Sequence, residues 1–164
     1  AINQEIDLRN EYTVTLTKAE THENYIKRTL KLTDPEGETK EITQFQYIAW
    51  PDHGVPTSPE ELLAFHAAVR ADRVSRNDTT PKVVHCSAGV GRTGTYIGID
   101  MILDNMQQIL DDVGTQHLTP LKILELMRTA RNLMIQTEEQ YEFVYKALKT
   151  LVDMLIAKLA TSNV

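Results

Sequence analysis

In the stretch His85-Cys86-Ser87-Ala88-Gly89-Val90-Gly91-Arg92-Thr93-Gly94, a thiol and a guanidinium are separated by five residues, two of them glycine. A thiolate is a strong nucleophile, and its pKa falls where the surroundings are electropositive. Gly89 and Gly91 permit positive φ and close backbone approach, so successive N–H groups can converge into an anion-binding nest. Arg92 adds a planar, permanently charged fork that suits two oxygens of a phosphate. Together these residues place sulfur below a phosphorus atom, with donors around it. A lone cysteine is most often a buried structural thiol. Here His85, the three glycines and Thr93 at fixed offsets argue against that.

Such a loop needs an element on each side. Lys82–His85, with the apolar pair Val83-Val84, is read as a short strand leading in. A helix from about Arg92 to Leu110 leads out, with Ile97, Met101, Ile102 and Met106 as its apolar side. Its N-terminus would supply unpaired N–H groups and the positive end of a dipole. Upstream, Glu11–Lys18, Asn24–Thr33 and Ile42–Ile48 alternate as strands, and Asp34-Pro35-Glu36-Gly37 is a turn. The three strands are expected to form an antiparallel meander. Ser58-Pro59-Glu60-Glu61 reads as a capping box that opens a helix carrying Leu62, Phe65 and Val69. Thr119-Pro120 opens another helix, to about Ala130. Gln136-Thr137-Glu138-Glu139 opens the last, to about Leu159, with Tyr141, Tyr145, Leu148, Leu151 and Leu155 expected to face inward. The expected fold is α/β: a highly twisted mixed sheet flanked by helices, with the Cys86–Arg92 loop between a strand and a helix.

The 164 residues suit one domain, and 41% hydrophobic with 24% charged residues is a globular profile. Seventeen Lys and Arg against 23 Asp and Glu leave a net charge of −6, which argues against nucleic acid as a partner. No apolar run suits a bilayer span, so no membrane contact by this segment is expected. Cys86 is the only cysteine, which excludes intrachain disulfides and cysteine zinc clusters and points to a reducing, cytoplasmic setting. His22, His53, His66 and His117 lack metal-ligand spacing and are read as structural or solvent-facing. No metal or cofactor is expected.

The 85–94 stretch closely resembles the signature of the protein tyrosine phosphatases. Trp50-Pro51-Asp52, continuing His53-Gly54-Val55-Pro56, is similar to the mobile loop that carries that family's general acid. Gln136-Thr137-Glu138-Glu139-Gln140-Tyr141 is similar to its glutamine loop. The three motifs stand in the family's order, and the similarity runs from about Tyr12 to the last helix. The resemblance implies hydrolysis of phosphotyrosine in proteins through a cysteinyl-phosphate on Cys86. It implies that backbone N–H groups of Ser87, Ala88, Gly89, Val90, Gly91 and Arg92, with the Arg92 side chain, hold the phosphoryl group. By the same resemblance Asp52 is the acid and then the base, Gln136 orients the water with help from Gln140, and Thr93 donates to the sulfur. His85 fixes the loop and helps lower the thiol pKa, Trp50 is a hinge for the acid loop, and Arg131 braces the phosphate loop. Arg128, one helical turn before Arg131, reads as a solvated or salt-bridged surface group. The implied setting is cytoplasmic, or the cytoplasmic side of a receptor-type protein.

The sequence departs from the tyrosine-specific class: the Glu and Lys loop that flanks that family's site is not identifiable here. That domain is longer, with N-terminal helices and a tyrosine-bearing loop that walls a deep pocket, and no Asn-Arg-Tyr segment is present here. Residues 1–164 are therefore expected to be the C-terminal portion of such a domain, with an N-terminal fragment as the partner that completes it. Two competing readings are a dual-specificity phosphatase, whose compact domains suit this length, and a catalytically silent phosphotyrosine-binding or regulatory domain. A third is an anion-binding structural fragment.

Overall fold

Alternation in the first third of the chain is realised as a sheet. A computed structural model describes residues 2–51, 54–106 and 119–162. The chain divides into two compact units, Ala1–Trp50 and Pro51–Val164. The first holds β1 (Glu5–Asp7), a 3-10 turn (Arg9–Glu11), β2 (Thr13–Thr21), β3 (Tyr25–Thr33) and β4 (Thr39–Tyr47). They lie side by side in that order, every pair antiparallel. Cross-strand pairing sets Val14 against Leu32, and Leu16 against Leu30, which in turn faces Ile42. Such pairs are the unit that stabilises a sheet. Arg28 interrupts the apolar face of β3, and its guanidinium is satisfied by Gln44 Oε1 at 3.0 Å and Gln46 Oε1 at 2.8 Å on β4. The β3–β4 turn closes through the Gly37 amide on the Asp34 carbonyl at 3.0 Å, and Gly37 takes the left-handed conformation, φ +84°.

The meander expected from the sequence is thus β2–β4. β1 lies outside the expected strands, since three residues, Glu5-Ile6-Asp7, are too few to show a periodic pattern. The α/β class stands. Among the described residues, however, the sheet is antiparallel throughout rather than mixed, and Lys82–His85 is not a strand. Pro81 lacks an amide donor, the chain bends from Ser87 onward, and Val83 is 91% exposed, so this stretch neither pairs nor buries as a strand would.

The second unit is helical: α1 (Pro59–Ser75), α2 (Gly91–Asp104), α3 (Pro120–Ala130) and α4 (Glu138–Ser162). Ser58 Oγ accepts the Glu61 amide at 3.4 Å and Thr119 Oγ1 accepts the Lys122 amide at 3.2 Å, each with proline as the first helical residue. The core of this unit is Leu62, Phe65, Ile99, Ile102, Ile123, Phe143, Val144 and Ala147. Two expected faces are corrected. α2 buries Thr93, Thr95, Tyr96 and Ile99 with Gly94 and Gly98, while Ile97 and Met101 are only half-buried. Ile102 is buried as expected, and because glycine allows other backbone to approach that side, Gly94 and Gly98 share the inner face with Tyr96, Ile99 and Ile102. α2 ends at Asp104, and residues 107–110 of the expected helix lie outside the described residues. α4 buries Gln140, Phe143, Val144 and Ala147, whereas Tyr145 and Leu155 are exposed.

Candidate active site

The turn that opens α2 is built to hold negative charge. Val90, the residue before the helix, provides no side-chain cap, and no acid stands in the first turn. The first amides are therefore unclaimed by the helix's own side chains. Gly89 has φ +71°, which folds the chain back over Cys86 and brings its amide 3.3 Å from Sγ. Burial by itself would raise the Cys86 thiol. The Thr93 hydroxyl and amide, with the Gly89 and Val90 amides, outweigh it and pull the thiol down to about 7. Thr93 is buried, and its hydroxyl makes no full hydrogen bond in this geometry. It stands near enough to the sulfur to favour thiolate over thiol. His85 is exposed, and its ring Nδ1 meets the Cys86 carbonyl at 3.4 Å rather than the sulfur.

Ser87, Ala88 and Arg92 are exposed, while Val90 and Gly91 are buried. Arg92 Nη2 donates to the Pro51 carbonyl at 3.2 Å, linking the phosphate-loop arginine to the residue that precedes Asp52. Asp52 and His53 lie outside the described residues. Trp50 is half-buried at the end of the first unit. Farther along the acid-loop motif, a Cβ on Gly54 would stand 3.7 Å from Glu139 Oε2 in the first turn of α4. The start of the acid-loop segment and the glutamine loop therefore border the same site.

The glutamine loop is fitted against the phosphate loop. A Cβ on Gly91 would lie 3.0 Å from Gln140 Nε2 and 3.3 Å from Gln136 Oε1, so a side chain there would press on both carboxamides. Gln140 is buried, and its Oε1 accepts the amides of Gln136 at 2.9 Å and Thr137 at 3.3 Å. Gln140 thus shapes the turn that carries Gln136. Arg131 Nη2 donates to the Ala88 carbonyl at 3.0 Å and stands 3.4 Å from where a Cβ on Gly89 would lie.

One member of this site escaped the sequence reading. Arg128 is not a free surface group: its Nε donates to the Met134 carbonyl at 3.1 Å and its Nη2 to the Ile135 carbonyl at 2.9 Å. Ile135, a β-branched residue at φ +57°, is strained, and its amide donates to the Val90 carbonyl at 3.1 Å. Arg128 holds that strained residue in place directly before Gln136. Its acceptors are loop carbonyls, which leave no mark in a sequence. The spacing to Arg131 was the one available signal.

This arrangement sets a thiol lowered to about 7 among amide donors of its own loop, with a guanidinium at the loop's end and two carboxamides against Gly91. Such a loop can hold a tetrahedral oxyanion beside the sulfur.

A family model described as Protein-tyrosine phosphatase matches residues 3–150. The chain is 43% identical over 136 residues to the human Receptor-type tyrosine-protein phosphatase H, covering 82% of this chain and 12% of that protein. It is 45% identical over 138 residues to the Danio rerio Receptor-type tyrosine-protein phosphatase F, covering 82% and 7%. It is 40% identical over 137 residues to the Drosophila melanogaster Tyrosine-protein phosphatase non-receptor type 61F, covering 83% and 24%. The chain therefore spans at most about a quarter of the length of these three relatives. Among the described residues, no helix is long and apolar enough to cross a membrane.

Proposed function

Because the chain belongs to the protein-tyrosine phosphatase family, we propose that it hydrolyses phosphotyrosine in proteins, with Cys86 as the nucleophile. The observation that carries this reading is the Cys86 thiol, drawn to about 7 by donors of its own loop, at the base of an uncapped helix N-terminus.

The Cys86 thiolate attacks phosphorus in line. The S–P bond forms as the bond from phosphorus to the tyrosyl oxygen breaks. Asp52 gives its proton to the leaving phenolate, a role that follows from the Trp50-Pro51-Asp52 motif. The amides of residues 87–92 and the Arg92 side chain bear the charge of the equatorial oxygens through the transition state. In the second step a water, oriented by Gln136, attacks phosphorus and yields its proton to Asp52. The S–P bond breaks and sulfur leaves as thiolate, favoured by the Thr93 hydroxyl. Gln140 and Arg128 hold Gln136 over Gly91 for that step, and Arg131 keeps the loop in its curved form. His85 steadies the entry to the loop. The lone cysteine and its need for reduction fit work on the cytoplasmic side of the cell.

The test is turnover of an aryl phosphate by the chain, beside Cys86→Ser. Activity lost in the variant is expected, and wild-type turnover no faster than that of the variant overturns the reading. Phosphotyrosine peptides should be hydrolysed far faster than phosphothreonine peptides. Equal rates would assign the chain to the dual-specificity class instead.

A further inference from the structure

The chain reaches Cys86 through a segment that no strand holds. Lys82–His85 is outside every strand among the described residues, and Val83 within it is 91% exposed. A nucleophile at the end of such a segment needs another anchor, and one stands four residues upstream. Lys82 Nζ lies 2.6 Å and 2.5 Å from the two carboxylate oxygens of Asp100, with Asp104 3.8 Å away. Asp100 is buried, 8% exposed, on α2. The same helix begins at Gly91, where the phosphate loop ends. His66 of α1, 6% exposed, meets Asp100 Oδ1 through Nε2 at 2.7 Å.

The consequence is mechanical. One end of the phosphate loop continues into α2. The other end is ion-paired to the same helix about two and a half turns further on. The contact closes residues 82–100 into a ring, and His66 ties that ring to α1. Burial works against ionised Asp100. His66 and Lys82 overcome that, and the carboxyl is held below its ordinary range. This is not a screened surface pair, because removing one partner leaves a buried charge uncompensated. Lys82 itself borders a cavity of about 320 Å³, shared with Arg73 and Tyr96, and its side chain is 28% exposed. It can be replaced without opening the core.

We propose that Lys82, Asp100 and His66 form a positioning device for Cys86, fixing the entry to the phosphate loop so that the sulfur stays in register with the loop amides. The proposal rests on the reading of Cys86 as the nucleophile. It concerns the placement of the sulfur rather than its chemistry with substrate.

The test reads the thiol directly, by the rate of Cys86 alkylation with iodoacetamide against pH in the full 164-residue chain. Wild type should show a midpoint near 7. Asp100→Asn is the decisive variant. Removing a negative charge would by through-space electrostatics lower the midpoint or leave it. Loss of positioning separates sulfur from its donors and raises it. We expect a rise of about one unit, which slows alkylation at pH 7 roughly fivefold. Lys82→Met should do the same and Lys82→Arg should restore most of the wild-type profile. Should Asp100→Asn fail to fold, as judged by circular dichroism, Asp100→Glu decides in its place, because it keeps the charge and moves the carboxylate, so only loss of positioning raises the midpoint. A folded Asp100→Asn or Lys82→Met with an unmoved or lowered midpoint overturns the proposal. Alkylation needs no turnover, so a chain inactive on aryl phosphate but showing these shifts would defeat the phosphatase reading and leave the positioning device standing.

Discussion

Gly94 and the backbone of Ile135 share one space: a Cβ on the glycine would stand 2.3 Å from the Ile135 amide nitrogen. α2 can therefore touch the glutamine loop main chain to main chain. Gly94→Ala forces the loop away from the helix and breaks the path from Val90 to Gln136. The expected cost is roughly 1–3 kcal/mol, as for an overpacked core. Urea unfolding measures it, and an unchanged midpoint would mean the loop yields without penalty.

Gln140 accepts two amides that have no other described acceptor, those of Gln136 and Thr137. Gln140→Leu fills the same volume and leaves both donors unmatched, at about 1–3 kcal/mol. Gln140→Glu keeps an acceptor oxygen and should lose less. Thermal melts of the two variants rank them, and a leucine variant as stable as the glutamate one contradicts this assignment.

The Cys86 thiol makes stability depend on pH with a definite sign. It titrates near 7 in the folded chain and near 8.5 when unfolded. A depressed pKa adds stability that is complete above the unfolded value and is lost as pH falls to the folded one. The melting temperature of wild type should therefore gain on that of Cys86→Ala between pH 7 and pH 9, and stay level with it below 6. A gap of constant size across that range would show that the folded thiol is not depressed.

Val83, expected from sequence to be a strand residue, is 91% exposed. Val83→Thr should change unfolding free energy by no more than about 0.5 kcal/mol. A loss of 2 kcal/mol in chemical denaturation would show that this valine is packed after all.

Much of the site was legible because its residues are punctuation: glycines that must turn, a proline as the first residue of each of two helices, a thiol and a guanidinium at fixed separation. The meander was legible because β2–β4 alternate cleanly. What escaped depends on partners distant in sequence. Arg128 binds carbonyls, which every residue has. The inner face of α2 mixes small residues with apolar ones, so periodicity found Ile102 but pointed at Ile97 and Met101 instead of Gly94 and Gly98. His66 and Asp100 are far apart in sequence and meet only because α1 and α2 pack together, so neither position announces the pair. Lys82–His85 carries the composition of a strand, but strand identity is settled by pairing, which no short stretch contains.

The Val90 carbonyl accepts two amides, Gly94 from its own helix and Ile135 from the glutamine loop, each at 3.1 Å. A single peptide plane is thus the fulcrum for both loops. Neither loop can shift its main chain at this point without straining a hydrogen bond to the other, so the two behave as one joint rather than as two neighbouring hinges.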